Sequence, residues 1–218
     1  MKIFSKSLPI VLIALTSTTA LADQNDSNWR LRLRAVRIEP ENQSSAGSGA
    51  LNSTLLPQDA IHVSSKTIPE IDITYFFSKH IASELVLTYP QKHKVSINNG
   101  PLSEDIGSFK HLPPTLTLQY HFSPGSQFQP YVGAGINYTR ISSVRLHSNT
   151  AGVDLDLERN SIGPAFQAGI DIKLNKNTYL NFDLKKLYIR SDVKLNGEKV
   201  SEVKVDPLLI GIGIGWSF

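Results

Sequence analysis

The last eleven residues of the chain, 208–218, alternate strictly between large apolar residues and positions that are mostly small. The large residues are Leu208, Ile210, Ile212, Ile214, Trp216 and Phe218, and the positions between them include Gly211, Gly213, Gly215 and Ser217. A half-buried strand of a soluble protein carries polar side chains on its second face, so we expect this strand to line a narrow space instead. An alternating strand that ends in an aromatic residue with a free carboxylate is typical of the closing strand of a bacterial outer-membrane barrel.

The first 22 residues have the pattern of a secretory signal peptide. Lys2 and Lys6 lie near the start, and the apolar run 8–15 is too short for a membrane-spanning helix, which needs about 20 apolar residues. Ala20-Leu21-Ala22 fits a cleavage site. We therefore expect residues 1–22 to be removed and residues 23–218 to form one barrel domain; a buried N-terminal helix is the alternative.

Composition excludes several other classes of protein. Lys2 and Lys6 are the only charged residues before residue 23, so the predicted mature chain has 20 basic and 19 acidic residues and a formal charge of +1. This balance, without a clustered basic helix, argues against a nucleic-acid partner. The absence of cysteine excludes a disulfide and a thiolate metal site.

Alternation with a period of two residues recurs along the chain, whereas helical periodicity is poor. Eight segments carry it, at 29–37, 68–77, 81–89, 111–122, 130–141, 161–174, 178–190 and 203–218. The connections between them alternate between short and long, as periplasmic turns and extracellular loops do. The sequence therefore predicts an all-β fold, an eight-stranded antiparallel transmembrane β-barrel; a soluble barrel with the reverse polarity is the alternative.

Two details of this pattern lead to further expectations. Leu187 and Ile189 are out of step with the seventh segment, and a β-bulge after Lys186 would return them to the lipid-facing side. Asn196-Gly197 predicts a two-residue hairpin turn in the last long loop. Aromatic residues near strand ends, Tyr131 and Tyr179 among them, are expected in interfacial girdles.

The faces opposite the apolar residues are strongly charged. Because the interior of an eight-stranded barrel is nearly filled by side chains, charged groups there must pair with one another. The expected cluster, either a polar constriction or a plug that only stabilises the barrel, contains Arg30, Arg32, Arg34, Glu70, Asp72, Glu84, Asp171 and Asp183.

Several motifs, in order along the mature chain, resemble those of the OmpW family. Lys110-His111-Leu112-Pro113-Pro114 precedes a strand that ends in Tyr120-His121-Phe122, and residues 128–139 read FQPYVGAGINYT. Further similarities are Tyr89-Pro90 followed by Lys92-His93-Lys94, Asp206-Pro207 and the terminal Phe218. The resemblance covers essentially the whole mature chain.

This resemblance implies an outer-membrane barrel that admits small hydrophobic molecules through a groove under the extracellular loops, with a lateral exit between strands. The candidate path comprises Leu51, Leu55, Leu56, Ile61, Val63 and Pro90. Expected partners are outer-membrane lipid, lipopolysaccharide, small hydrophobic solutes, and the barrel-assembly machinery acting on the last strand through Phe218. A structural or adhesive barrel that acts through its loops, without transport, is the alternative.

Catalysis is not expected. His62 with Ser64, and His147 with Ser148, are only neighbours in sequence and lack an evident acidic partner. The remaining histidines lack metal-ligand spacing. We therefore assign no catalytic residue, no metal ligand and no cofactor.

Overall fold

The computed structural model describes residues 28–49 and 51–218, so the predicted signal peptide lies outside the described residues and remains a prediction. The described chain contains one 3₁₀ turn, Gly100–Leu102, and fifteen strands. The strands are β1 (Trp29–Glu39), β2 (Gln43–Ser44), β3 (Ile61–Val63), β4 (Lys66–Phe76), β5 (Ile81–Leu87), β6 (Gln91–Ile97), β7 (Glu104–Leu112), β8 (Thr115–His121), β9 (Phe128–Ser148), β10 (Val153–Leu157), β11 (Asn160–Lys173), β12 (Thr178–Leu187), β13 (Arg190–Leu195), β14 (Glu198–Lys204) and β15 (Leu208–Ser217).

Eight of these strands close into an antiparallel barrel, which confirms the predicted fold class. Their order is β1-β4-β5-β8-β9-β11-β12-β15, and β15 returns to pair with β1. In the closing ladder Leu33 lies opposite Ile214 and Arg34 lies opposite Gly213. Each strand of this ring therefore pairs with a neighbouring strand on both sides. Among the described residues, no helix is long and apolar enough to cross a bilayer.

The outer surface of the barrel is apolar. On β15, Ile210 and Ile212 are exposed at 46% and 48%, whereas Gly211 between them is buried. Aromatic residues pair near the short turns, with ring centroids 4.7 Å apart for Trp29 and Tyr75. The predicted alternation of the last strand is therefore confirmed, with its large residues outward.

The prediction that Tyr131 and Tyr179 belong to interfacial girdles is wrong. Both are buried and point into the barrel. The Tyr179 ring lies 3.9 Å from the guanidinium carbon of Arg30, and the Tyr131 hydroxyl donates to Asp183. Each ring therefore has a polar partner in the interior that a lipid-facing ring would lack.

The long connections are largely β-structure that extends the barrel beyond its eight-stranded ring. β9 runs for 21 residues and pairs first with β8 and then with β7 and β10. The predicted hairpin is confirmed, since Asn196 and Gly197 have φ of 51° and 89° between β13 and β14. We call this end of the molecule, formed by β2, β3, β6, β7, β10, β13 and β14, the extracellular extension.

Two strand breaks and one predicted bulge differ from the expectation. The segment 111–122 is not one strand, because Pro113 and Pro114 lack N–H donors and separate β7 from β8. Pro207 lies in a similar break between β14 and β15. The predicted bulge is also wrong: alternation continues through Lys185, and Leu187 and Ile189 point inward, each 1% exposed. The interior itself changes there from polar to apolar.

Candidate functional site

The half of the barrel nearest the short turns is filled by ion pairs. Arg30 Nη1 lies 2.6 Å from Asp171 Oδ2, and Arg32 Nη2 lies 2.7 Å from the same oxygen. Arg32 also reaches Glu84 at 2.8 Å, across the lumen from Asp171. All four side chains are buried. Such charges are tolerated because each has an opposite charge within hydrogen-bond distance.

Arg34 connects a second group of carboxylates. It pairs with Asp72, with Glu84 at 3.1 Å and with Asp183 at 2.9 Å. Lys185 Nζ, which the sequence analysis did not single out, lies 3.5 Å from Glu84. Glu70 lies 3.6 Å from Arg34 and 3.7 Å from Lys185. The structure thus brings all eight predicted interior residues together; with Lys185 we call them the lumen plug.

Neutral groups and glycines complete the lumen plug. Gln167 Nε2 donates to both Glu84 at 2.8 Å and Asp183 at 2.7 Å. A Cβ atom on Gly213 would lie 2.7 Å from Arg34 Cγ, and one on Gly215 would lie 3.1 Å from Arg32 Cγ. The glycine face of β15 therefore provides the space that the arginine side chains occupy.

Above the lumen plug the interior is apolar. We call this region the apolar chamber; its lining is Leu56, Ile61, Val63, Val95, Ile97, Ile106, Phe109, Leu146, Leu155, Leu157, Val193 and Val203. The chamber holds a void of about 20 Å³. This volume is close to that of a single water-sized sphere, so a larger molecule could enter only with movement of the lining.

Most of the predicted path residues belong to the apolar chamber or its cover. Leu51 and Leu56 are 2% and 1% exposed, and both pack into the buried apolar cluster with Leu55 against it. Ile61 and Val63 line the chamber from β3. Pro90 lies elsewhere, exposed between β5 and β6.

The barrel wall is interrupted beside Pro90. The β4–β5 ladder ends at the pair Ile71 and Leu87, although β4 continues to Lys66 as a partner of β1. Within the described part of the chain, no strand pairs with the β5-facing edge of residues 66–70. Ile68, in the interrupted stretch, is buried in the same apolar cluster as the chamber residues Val63 and Phe109, whereas Pro69 is exposed.

A polar cluster lies at the foot of the apolar chamber, where β6 begins and β7 ends. The His93 and His111 ring centroids are 4.7 Å apart, and His93 Nδ1 lies 2.6 Å from the Ser64 carbonyl oxygen. Burial lowers the pKa of His93, and burial with the nearby His93 and Lys66 lowers the pKa of His111 to about 3. Both imidazoles are therefore neutral at pH 7.

The chamber lining beyond the first loop was missed by sequence reasoning. Val95 and Ile97, and likewise Leu155 and Leu157, fall in segments interpreted as loops. Their signal was present as short period-two alternation, which indicates strands even when a segment lies outside the membrane.

The hydroxyl and imidazole pairs considered for catalysis do not form a triad. His147 Nδ1 lies 2.7 Å from Asp154, but Ser148 Oγ donates to Glu104 at 2.6 Å. Ser64 Oγ accepts from the Lys94 backbone N–H at 3.0 Å. In residues 28–49 and 51–218 no group of three or more histidine or acidic side chains is placed to hold a metal.

A closed eight-stranded barrel with an apolar outer band, aromatic pairs at one end and a charged interior defines the class of outer-membrane β-barrels. The OmpW family model matches residues 26–218, so the chain belongs to the OmpW family. The protein is accordingly an outer-membrane protein of Gram-negative bacteria, as the sequence predicted.

Known proteins support this placement along the whole barrel. Outer-membrane protein y4mB of Sinorhizobium fredii is 38% identical over 88% of this chain and 80% of its own length. Outer membrane protein W of Vibrio cholerae is 32% identical over 95% and 96%. The dibenzothiophene metabolism operon protein PahQ of Pseudomonas aeruginosa is 29% identical over 88% and 90%. The crystal structure of OprG from the same species matches with a TM-score of 0.74 and 29% identity over 88% and 96%.

Proposed function

We propose that the apolar chamber receives small hydrophobic molecules from outside the cell and releases them sideways into the outer membrane. The observation that carries this proposal is the interruption of the wall at residues 66–70, where Ile68 belongs to the same buried apolar cluster as the chamber lining. An interior surface lined by leucine, isoleucine, valine and phenylalanine favours apolar ligands because their transfer from water is favourable there.

The lumen plug argues against passage along the barrel axis. A hydrophobic molecule on that route would have to displace buried ion pairs such as Arg32–Asp171 and Arg34–Asp183. Breaking a buried pair typically costs about 3–5 kcal/mol, with nothing gained from an apolar molecule. The lateral route avoids this cost.

The lateral exit would open onto a surface that suits the same solutes. Ile71 and Leu87, at the end of the β4–β5 ladder, are exposed on the outer face. Pro90 has no N–H with which to extend β5, so it helps to keep the two strands apart. The name of the relative PahQ, which refers to dibenzothiophene metabolism, is consistent with an apolar cargo.

The first experiment compares uptake of N-phenyl-1-naphthylamine by Gram-negative cells that carry the wild-type barrel or the double variant Leu55→Asp, Leu56→Asp. Two carboxylates at the chamber cover should abolish the accelerated uptake, because an unpaired charge is strongly disfavoured in apolar surroundings. Leu102→Asp, at an exposed leucine of the extracellular extension, is the matched control and should leave uptake unchanged.

Expression is adjusted until the amounts of folded barrel at the cell surface are equal, with folding assessed by heat-modifiable migration on gels. Equal uptake in wild type and double variant would refute the proposal. No acceleration by the wild-type barrel at all would favour the structural or adhesive alternative, in which the loops act by binding partners.

A further inference from the structure

Gln91, His93 and His111 form a compact polar cluster at the foot of the apolar chamber. Gln91 lies opposite His111 in the β6–β7 ladder, and His93 lies opposite Phe109, a chamber residue. All three polar side chains are buried. The inner surface of β6 therefore changes from polar at Gln91 and His93 to apolar at Val95.

Each side chain of the cluster has a buried atom without a hydrogen-bond partner among the described residues: Gln91 Oε1, His93 Nε2 and His111 Nε2. The donors of the first two are already used, since Gln91 Nε2 donates to the Tyr89 carbonyl at 2.9 Å and His93 Nδ1 to the Ser64 carbonyl at 2.6 Å. A neutral imidazole protonated on Nδ1 has its lone pair on Nε2. The free atoms of Gln91 and His93 are therefore acceptors.

The surroundings favour a neutral donor over a cation. Lys66 contributes positive potential at both histidines, and burial disfavours any charge there. A hydroxyl or a neutral N–H group carries one hydrogen, which it could donate to Gln91 Oε1 or His93 Nε2 without bringing a charge into the chamber. Unpaired buried acceptors are costly, so a partner for them would be bound selectively.

We propose that Gln91 and His93, together with His111, bind the single O–H or N–H group of an otherwise hydrophobic solute. Its apolar part would lie against Phe109 and Val95. The preferred class is neutral amphiphiles such as phenols, primary alcohols and N–H heteroaromatics. This inference rests on the proposed function of the chamber and adds its selectivity.

The test compares 1-naphthol with naphthalene, two probes with the same ring system, for binding to the refolded full-length barrel in detergent micelles. In Gln91→Met and in His93→Phe, the ratio of 1-naphthol affinity to naphthalene affinity should fall about fivefold to tenfold from wild type. His62→Phe is the matched control because His62 lies on β3 between the inward-facing Ile61 and Val63. Its ratio should stay at the wild-type value.

Failure of the polar subsite and failure of the proposed function give different experimental results. Suppose that naphthalene binding is lost in the double variant Leu55→Asp, Leu56→Asp, but the ratio of 1-naphthol affinity to naphthalene affinity is unchanged in Gln91→Met and His93→Phe. This result would overturn the polar subsite and leave the proposed function intact. If neither probe binds in a Leu56-dependent way, the proposed function fails as well. Should the variants not fold, the ¹⁵N shift of His93 Nε2 in wild type decides: 1-naphthol should move it and naphthalene should not, and equal shifts overturn the subsite.

The outer surface of β6, β7 and β9 carries a patch of five exposed basic residues: Lys92, Lys94, Lys110, Arg140 and Arg145. Lys92 lies directly opposite Lys110, an unfavourable placement of like charges. Within residues 28–49 and 51–218, none of the five has an ion-pair partner. The patch begins just past Tyr89 on the chain leading into β6 and past Tyr138 on β9, both exposed aromatics.

We infer that this basic patch binds phosphate groups of lipopolysaccharide. Its position at the boundary between the apolar band and the extracellular extension matches the level of the phosphates in the outer leaflet. Each Lys or Arg near an anionic membrane surface contributes about a factor of five in binding, so five residues without an ion-pair partner form a strong site.

The test measures binding of bis-phosphorylated lipid A, and of the same lipid after phosphate removal, to the full-length barrel in micelles. Lys92→Gln with Lys110→Gln should weaken binding of the phosphorylated lipid about tenfold or more. Lys173→Gln with Lys176→Gln, at the short-turn end, is the matched control and should change it little. Equal loss in both double variants, or equal binding of the two lipids to wild type, would overturn the inference.

Discussion

Replacing Leu56 by alanine should selectively loosen the cover of the apolar chamber. Leu56 is 1% exposed and lines the chamber void. The substitution removes three buried carbon atoms, which costs about 2.4 kcal/mol at about 0.8 kcal/mol per methylene, before any cavity term. The population in which the first loop is open should therefore rise about fiftyfold, since each 1.4 kcal/mol is a factor of ten.

Amide hydrogen exchange measures this opening directly. The Gly47 N–H donates to the Leu56 carbonyl at 2.7 Å, and the Leu56 N–H donates to the Asn52 carbonyl at 2.9 Å. Protection of these amides should fall about fiftyfold in Leu56→Ala, while the barrel strands stay protected. Leu102→Ala, at a leucine that is 42% exposed, should have no such effect. Unchanged protection in Leu56→Ala, or an equal loss in the control, would refute the reasoning.

The remaining predictions concern packing, pH and assembly. Gly213→Val should prevent folding because its Cβ would overlap the Leu33 carbonyl oxygen, whereas Gly211→Ala should fold because the nearest side-chain atom lies 3.3 Å from its Cβ. Heat-modifiable migration on gels distinguishes folded from unfolded barrels, and a folded Gly213→Val would contradict the packing argument. The pKa of His111 is about 3 in the folded protein and about 6.5 in the unfolded protein, so the unfolded state binds the proton more tightly. The extracellular extension should therefore lose stability as the pH falls from about 6.5 toward 3, by about 2 kcal/mol at pH 5. Hydrogen exchange of the β6 and β7 amides, corrected for the intrinsic pH effect, should detect this, and His111→Phe should reduce it; equal pH dependence in both proteins would count against it. Deleting Phe218 should lower the yield of folded barrel in cells if the last residue directs assembly, and an unchanged yield would refute that role.

The transmembrane part of the fold was predictable because lipid imposes a simple rule on it. In residues 31–35 of β1, 70–73 of β4 and 210–215 of β15, outward positions are apolar and inward positions carry charge or glycine, so alternation there indicates both strand and orientation. The ion pairs of Arg30, Arg32 and Arg34 followed from the same rule, because unpaired charges in a narrow interior would be too costly.

The extracellular extension was not predictable in the same way. Its outer face is exposed to solvent and its inner face is apolar, the reverse of the membrane-spanning strands. Leu187 and Ile189 illustrate the difficulty: their apolar character suggested the lipid face, although the unbroken alternation places them inside. The polar cluster of His93 and His111 depends on strand pairing between β6 and β7, which no local pattern specifies.

The lumen plug has a consequence for the energetics of uptake. Under the proposed function it leaves the bilayer as the destination of the cargo, and passive movement into the bilayer does not drive accumulation. Such a protein acts as a catalyst of partitioning: it speeds the approach to equilibrium between the medium and the membrane without changing where that equilibrium lies. Net inward flow of the solute would then depend on a process that removes the solute from the inner surface of the outer membrane.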